Sequence, residues 1–168
     1  MKPGRGICLV MSQPSNNPAI VVDANMLIAV CARERDKLAA AEVAINDYAA
    51  KGCVFYAPNV IVGEVLFVLC RKRQEGSLTQ IDYDDAIESF AEQMRVSLPP
   101  PSGETSLIAR AREIRSGYGC SRSSDSLYIA LTEELTKSGP AEFLTFDGDT
   151  VNQIAGNAPT VKVNLLPF

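Results

Sequence analysis

Short apolar runs rich in β-branched residues alternate along the chain with longer stretches whose apolar positions recur at helical spacing. Residues 20–22 (Ile-Val-Val) are the first such run. A run of that length and composition reads as a strand buried on both faces. It stops at Asp23, and an apolar helical stretch over 26–32 starts directly behind Asn25. A charged turn over 33–37 leads to an alanine-rich helix over 38–50, with Asp36 as candidate cap, Val43 and Ile45 as inward candidates and Gly52 as its stop. Residues 53–56 read as a second strand. A third helix starts at Val60 behind Pro58 and Asn59 and continues to Gly76. The stretch 79–95 is a helix with Ile81, Ala86, Ile87, Phe90 and Met94 inward and an acidic outer face of Asp82, Asp84, Asp85, Glu88 and Glu92. Residues 96–98 are a third strand candidate, closed by the stiff loop Pro99-Pro100-Pro101. A helix over 103–115 repeats Leu107, Ile108, Ala111 and Ile114. Gly117-Tyr118-Gly119 ends it, and the next helix has Ser123 or Ser124 as cap. Residues 142–146 form the fourth strand, 150–155 a short helix, and 161–165 an alternating edge strand.

Charge interrupts this pattern at a few awkward points. The stretch 60–70 is apolar on every face except at Glu64 and is expected to be largely buried. An ionised carboxylate there needs either an arginine from elsewhere or a bound cation. Asp23 and Asn25 either cap the following helix or stand at the carboxyl end of a central strand, the edge where open α/β sheets bind ligands. Asp125 lies in the first turn of its helix, where the macrodipole favours an acid in any case. The fourth strand stops at Asp147-Gly148-Asp149, and a turn at Gly148 accounts for one of these aspartates alone. Arg110, Arg112, Arg115 and Arg122 make the most basic local stretch. They are either a solvated helix face or phosphate contacts beside an acidic site.

Composition narrows the chemistry. The 168 residues are 46% apolar, enough for one domain with a real core. Residues 19–168 read as that domain and 1–18 as a flexible tail, whose apolar run over 7–11 is too short for a signal-peptide core and in which Met11 is an alternative start. No run is long enough to span a membrane. The five cysteines (Cys8, Cys31, Cys53, Cys70, Cys120) are odd in number and form no CxxC, so they read as reduced thiols of a cytoplasmic protein. There is no histidine, which removes Ser-His-Asp and Cys-His catalysis and argues against zinc. The net charge of −4 offers no general basic field for a polyanion.

Alternating strands and helices predict a parallel sheet covered on both faces. The first and fourth strands then open on one edge, carrying Asp23 and Asp147. Asp125 starts the helix feeding the fourth strand, and Glu64 lies one turn inside the helix after the second. Clustered carboxylates repel and raise one another's pKa. A hard divalent cation relieves that, and Mg2+ or Mn2+ prefers oxygen ligands shared with phosphates. An acid pocket without histidine therefore points to metal-assisted phosphodiester hydrolysis.

Four stretches carry a family resemblance: Val22-Asp23-Ala24-Asn25-Met26-Leu27-Ile28, Val62-Gly63-Glu64-Val65, the run from Ser124 to Leu131, and Leu144-Thr145-Phe146-Asp147. In this order they resemble PIN-domain ribonucleases, among them the toxins of VapBC-type toxin–antitoxin pairs. The resemblance implies a three-layer α/β/α sandwich with a five-stranded parallel sheet of order 3-2-1-4-5. It implies Asp23, Glu64, Asp125 and Asp147 as Mg2+/Mn2+ acids, with Asn25 and Thr145 in support; Asp149 departs from the family pattern as a spare acid that can replace or assist Asp147. It also implies RNA cleavage, a homodimer and a small inhibitory antitoxin. Arg122 and Ser124 stand where the family varies, so RNA contacts do not carry over. Two alternatives remain. One is a non-catalytic PIN-like scaffold for RNA or protein. The other is a haloacid-dehalogenase-type phosphatase, whose second aspartate would fall where Asn25 stands.

Overall fold

The computed structural model describes residues 17–119 and 125–167. Four strands, β1 (Ala19–Val22), β2 (Val54–Tyr56), β3 (Ala141–Thr145) and β4 (Lys162–Leu165), form one sheet in the order β2-β1-β3-β4. Every pairing is parallel, with Ile20 opposite Phe55, Val22 opposite Leu144, and Thr145 opposite Leu165. All four residues of β1 are buried. Successive side chains of a strand point to opposite faces, so both faces of the sheet are covered at its centre.

The expected fifth strand over 96–98 is a correction. Only Leu98 pairs, in a parallel bridge to Tyr56. It donates to the Phe55 carbonyl at 2.8 Å and accepts from the Ala57 amide at 3.0 Å. A helix runs through Val96 on one side, and three prolines without amide donors follow on the other. One residue of extended pairing is all the segment has room for. The bridge still lies on the outer edge of β2, where the order 3-2-1-4-5 would put a strand.

Seven helices connect the strands among the described residues: α1 (Ala24–Cys31), α2 (Leu38–Ala50), α3 (Val60–Gln74), α4 (Gln80–Val96), α5 (Glu104–Gly117), α6 (Asp125–Thr136) and α7 (Gly148–Asn157). Four of them stand between β2 and β3, so strict alternation fails there. They pack as two groups. Helices α2, α3 and α4 surround α1, while α5 packs between α7 and α6, which lies on β1 and β3. Thr79 caps α4 in a reciprocal box with Asp82. No helix of the described residues is long and apolar enough to cross a membrane.

Inward faces are narrower than the sequence suggests. Only the stripe Ile61, Val65 and Leu69 of α3 is buried, while Val62, Leu66 and Phe67 are exposed, Phe67 by 64%. The apolar helix therefore covers the core with one edge and shows the rest to solvent. On α2 the small residues Ala41 and Ala44 make the contact and Val43 points out. Ile81, at 73% exposure, and Ile108 are likewise outward. The residue at the cap position of α2 is Lys37, not Asp36. Cys31 is buried, Cys53 and Cys70 half-buried, and all three are free thiols. Cys8, Cys120, the tail over 1–16 and the caps Ser123 and Ser124 lie outside the described residues.

Candidate active site

The carboxyl ends of β1 and β3 meet because the strands are parallel and in register. Val22 lies opposite Leu144, and the Asp23 amide extends the ladder to the Leu144 carbonyl at 3.1 Å. The next residues of the two strands are therefore neighbours across 122 positions of sequence. The Thr145 hydroxyl donates to Asp23 Oδ2 at 2.5 Å. Asn25 Nδ2 donates to the same carboxylate oxygen at 2.7 Å and lies 3.1 Å from Thr145 Oγ1. Asn25 Oδ1 accepts from the Phe146 amide at 3.2 Å, and Thr145 Oγ1 accepts from the Asp147 amide at 2.9 Å. This knot ties the two strand ends together and leaves Asp23 only 6% exposed. Asp23 occupies the N-cap position of α1 but makes no side-chain capping bond, so helix capping does not explain it.

Two further acids reach the same place. Among the described residues Glu64, on α3, has a tyrosine rather than an arginine as partner: the Tyr128 hydroxyl donates to Glu64 Oε2. Asp125, the first residue of α6, is 8% exposed, and its Oδ2 accepts from Gln153 Nε2 of α7 at 3.2 Å. Electrostatics shows that these groups share one neighbourhood. Burial pushes Asp23 up to about 7; the Thr145 hydrogen bond draws it down, and the charges of Asp125 and then Glu64 raise it further. Burial, followed by the charges of Glu64, Asp23 and Asp125, raises the Tyr128 phenol far above its ordinary range.

The other candidates are placed differently. Asp147 is half-buried and caps α7, its Oδ1 accepting from the Asp149 amide at 2.9 Å. Asp149 is exposed. Both line an open groove of about 530 Å³ with Phe146, Gly148 and Leu165, beyond the knot rather than over it. Arg110 is a structural clamp. It grips Glu133 of α6 through two bonds of 2.5 and 2.9 Å, and reaches Glu113 at 3.0 Å and the Asn157 carbonyl at 2.8 Å. Arg112 and Arg115 are exposed on α5, and Arg122 lies outside the described residues.

Tyr128 and Gln153 were not legible as site residues. Tyr128 follows Asp125 by three positions, so both lie on one face of α6, but within an apolar run it reads as core. Gln153 carries no sequence signal at all. Thr150, three positions before it on the same face of α7, has a buried hydroxyl without a hydrogen-bond partner among the described residues.

The donor chemistry fits a hard divalent cation. The side chains are oxygen donors, and among the described residues the partners that hold Asp23 and Glu64 are uncharged: a threonine, an asparagine and a tyrosine. Neutral donors orient a carboxylate and leave its charge to be balanced by something else. Among the described residues no three Asp, Glu or Cys side chains stand together as a ready-made cage.

Fold and site thus define an α/β protein with an all-oxygen acidic centre at the carboxyl edge of a parallel sheet. Residues 20–157 match the PIN domain family, and the chain belongs to it. Its fold is similar to that of VapBC2 from Rickettsia felis, solved bound to a DNA fragment from its promoter. The TM-score is 0.59 at 8% identity, over 89% of this chain and 99% of that one. It also aligns with PAE2754 from Pyrobaculum aerophilum at TM-score 0.46 and 16% identity, over 86% of this chain and 82% of that one. No curated protein matches it in sequence.

Proposed function

We propose that this PIN-domain protein is a Mg2+- or Mn2+-dependent ribonuclease, the toxin of a VapBC-type pair, held in check by a small antitoxin protein in the cytoplasm. PIN domains are generally nucleases. The observation that carries the reading is the convergence of Asp23, Glu64 and Asp125, with burial and the other two charges holding Asp23 near neutrality in its pKa. Similarity to a toxin–antitoxin structure supports the partner.

Asp23, Glu64 and Asp125 would hold the cation, with Asp147 the fourth acid and Asp149 its alternate. A bound divalent cation supplies a nucleophilic water at neutral pH and neutralises the attacked phosphate. The chain's own contribution is orientation. Thr145 and Asn25 fix the plane of the Asp23 carboxylate, Gln153 fixes Asp125, and the closed sheet edge keeps bulk water from Asp23. The acidic surface has no basic field of its own, so RNA affinity depends on the cation and on local contacts. Arg112, Arg115 and Arg122 are the candidates for these, while Arg110 clamps Glu133.

Incubation of the purified protein with single-stranded RNA decides between a nuclease and a non-catalytic scaffold. Cleavage with Mg2+ or Mn2+ that stops in EDTA is expected. Binding without cleavage under every metal condition assigns the chain to the scaffold reading.

A further inference from the structure

We propose that Tyr128 is a positioning residue of the acidic centre. It holds Glu64 in the orientation in which that carboxylate meets a cation shared with Asp23 and Asp125. The inference rests on the reading of these acids as a cation site, and goes beyond it by naming the group that sets the geometry of one of them.

Three observations carry it. Tyr128 is fully buried and its ring lies 5.9 Å from that of Phe143 between centroids, tilted by 34°. The hydroxyl is therefore held by packing before it meets any partner. That hydroxyl donates to Glu64 Oε2 across the boundary between the two helix groups. The charges of Glu64, Asp23 and Asp125 all raise the phenol's pKa, in keeping with that contact. A buried tyrosine needs a hydrogen-bond partner somewhere. Here that need is met by an acid of the site instead of a backbone carbonyl. Glu64 comes from a helix with solvent along much of its face, and its side chain has more rotamer freedom than that of an aspartate. Tyr128 removes that freedom and engages one of its two oxygens. Partners of this kind, one step out from the cation, set ligand orientation and typically change metal affinity by about 10- to 100-fold.

The test is a two-by-two set: wild type, Y128F, E64Q and Y128F/E64Q. Mn2+ affinity is read by titration calorimetry and fold stability by thermal melts in EDTA. Y128F keeps the ring against Phe143, so it should melt within about 2–4 °C of wild type for one lost hydrogen bond. It should bind Mn2+ about 10- to 100-fold more weakly. In the E64Q background the same change should add nothing, because Tyr128 acts through Glu64. Wild-type Mn2+ affinity in Y128F overturns the proposal. So does an equal loss in both backgrounds, which would make Tyr128 a general packing residue. Wild type that binds no Mn2+ overturns the cation reading itself, and this inference with it.

Discussion

Asp23 is the residue on which the site turns, and burial is its main cost. Its folded pKa of about 7 lies well above the 3.8 of an unperturbed aspartate. The fold therefore favours the protonated form. The stability this group contributes is full below about pH 4 and is lost as pH rises through about 7. Asp23→Asn has no charge to bury, and its amide oxygen can still accept from Thr145 and Asn25. In EDTA the variant should gain on wild type in melting temperature as pH rises from about 4 to 8, with most of the gain present by neutrality. A difference that stays constant across that range would contradict the assignment. Metal binding selects the ionised form, so Mn2+ should reverse the order at neutral pH by mass action.

At the scale of elements, α7 links the fourth acid to local structure. Asp147 caps it through the Asp149 amide. Loss of a cap typically costs about 1 kcal/mol, whereas asparagine is as good a cap as aspartate. Asp147→Ala should therefore destabilise the metal-free protein by about 1 kcal/mol and Asp147→Asn hardly at all. If Asp147 also meets the cation, both variants should show a smaller rise in melting temperature with Mn2+ than wild type. An undiminished rise confines Asp147 to capping. The same scale shows what the chain discloses of itself. The β1 end was legible because a β-branched run that stops at an acid is a local signal. The α3 face was not, because apolar residues all round a helix do not reveal that only Ile61, Val65 and Leu69 find room in the core. Residues 96–98 have strand-like composition, but helix α4 and the prolines confine them to one bridge. Tyr128 escaped notice because its partner, Glu64, lies 64 positions away, and a phenol within an apolar run gives no hint of its hydroxyl.

For the whole molecule, α1 is largely buried and offers little apolar surface to a second copy. Its apolar residues are covered within the chain. The α3 residues Val62, Leu66 and Phe67 are exposed instead, and single apolar residues at a surface are common. The homodimer thus rests on the family resemblance with these residues as candidates. Sedimentation equilibrium at micromolar concentration should give twice the chain mass, and Phe67→Glu should shift the protein toward monomer. A wild-type monomer throughout would exclude the dimer.

The central claim is that acids from α3, α6 and the end of β1 act as one unit on RNA. The most direct measurement is the rate of single-stranded RNA cleavage in Mn2+ for wild type, Asp23→Asn, Asp125→Asn and the double variant. Each single change should lower the rate by at least ~10²-fold, and the double should be little slower than the worse single, as for groups that work together. A single variant with the full wild-type rate, or losses that multiply in the double, would contradict the account.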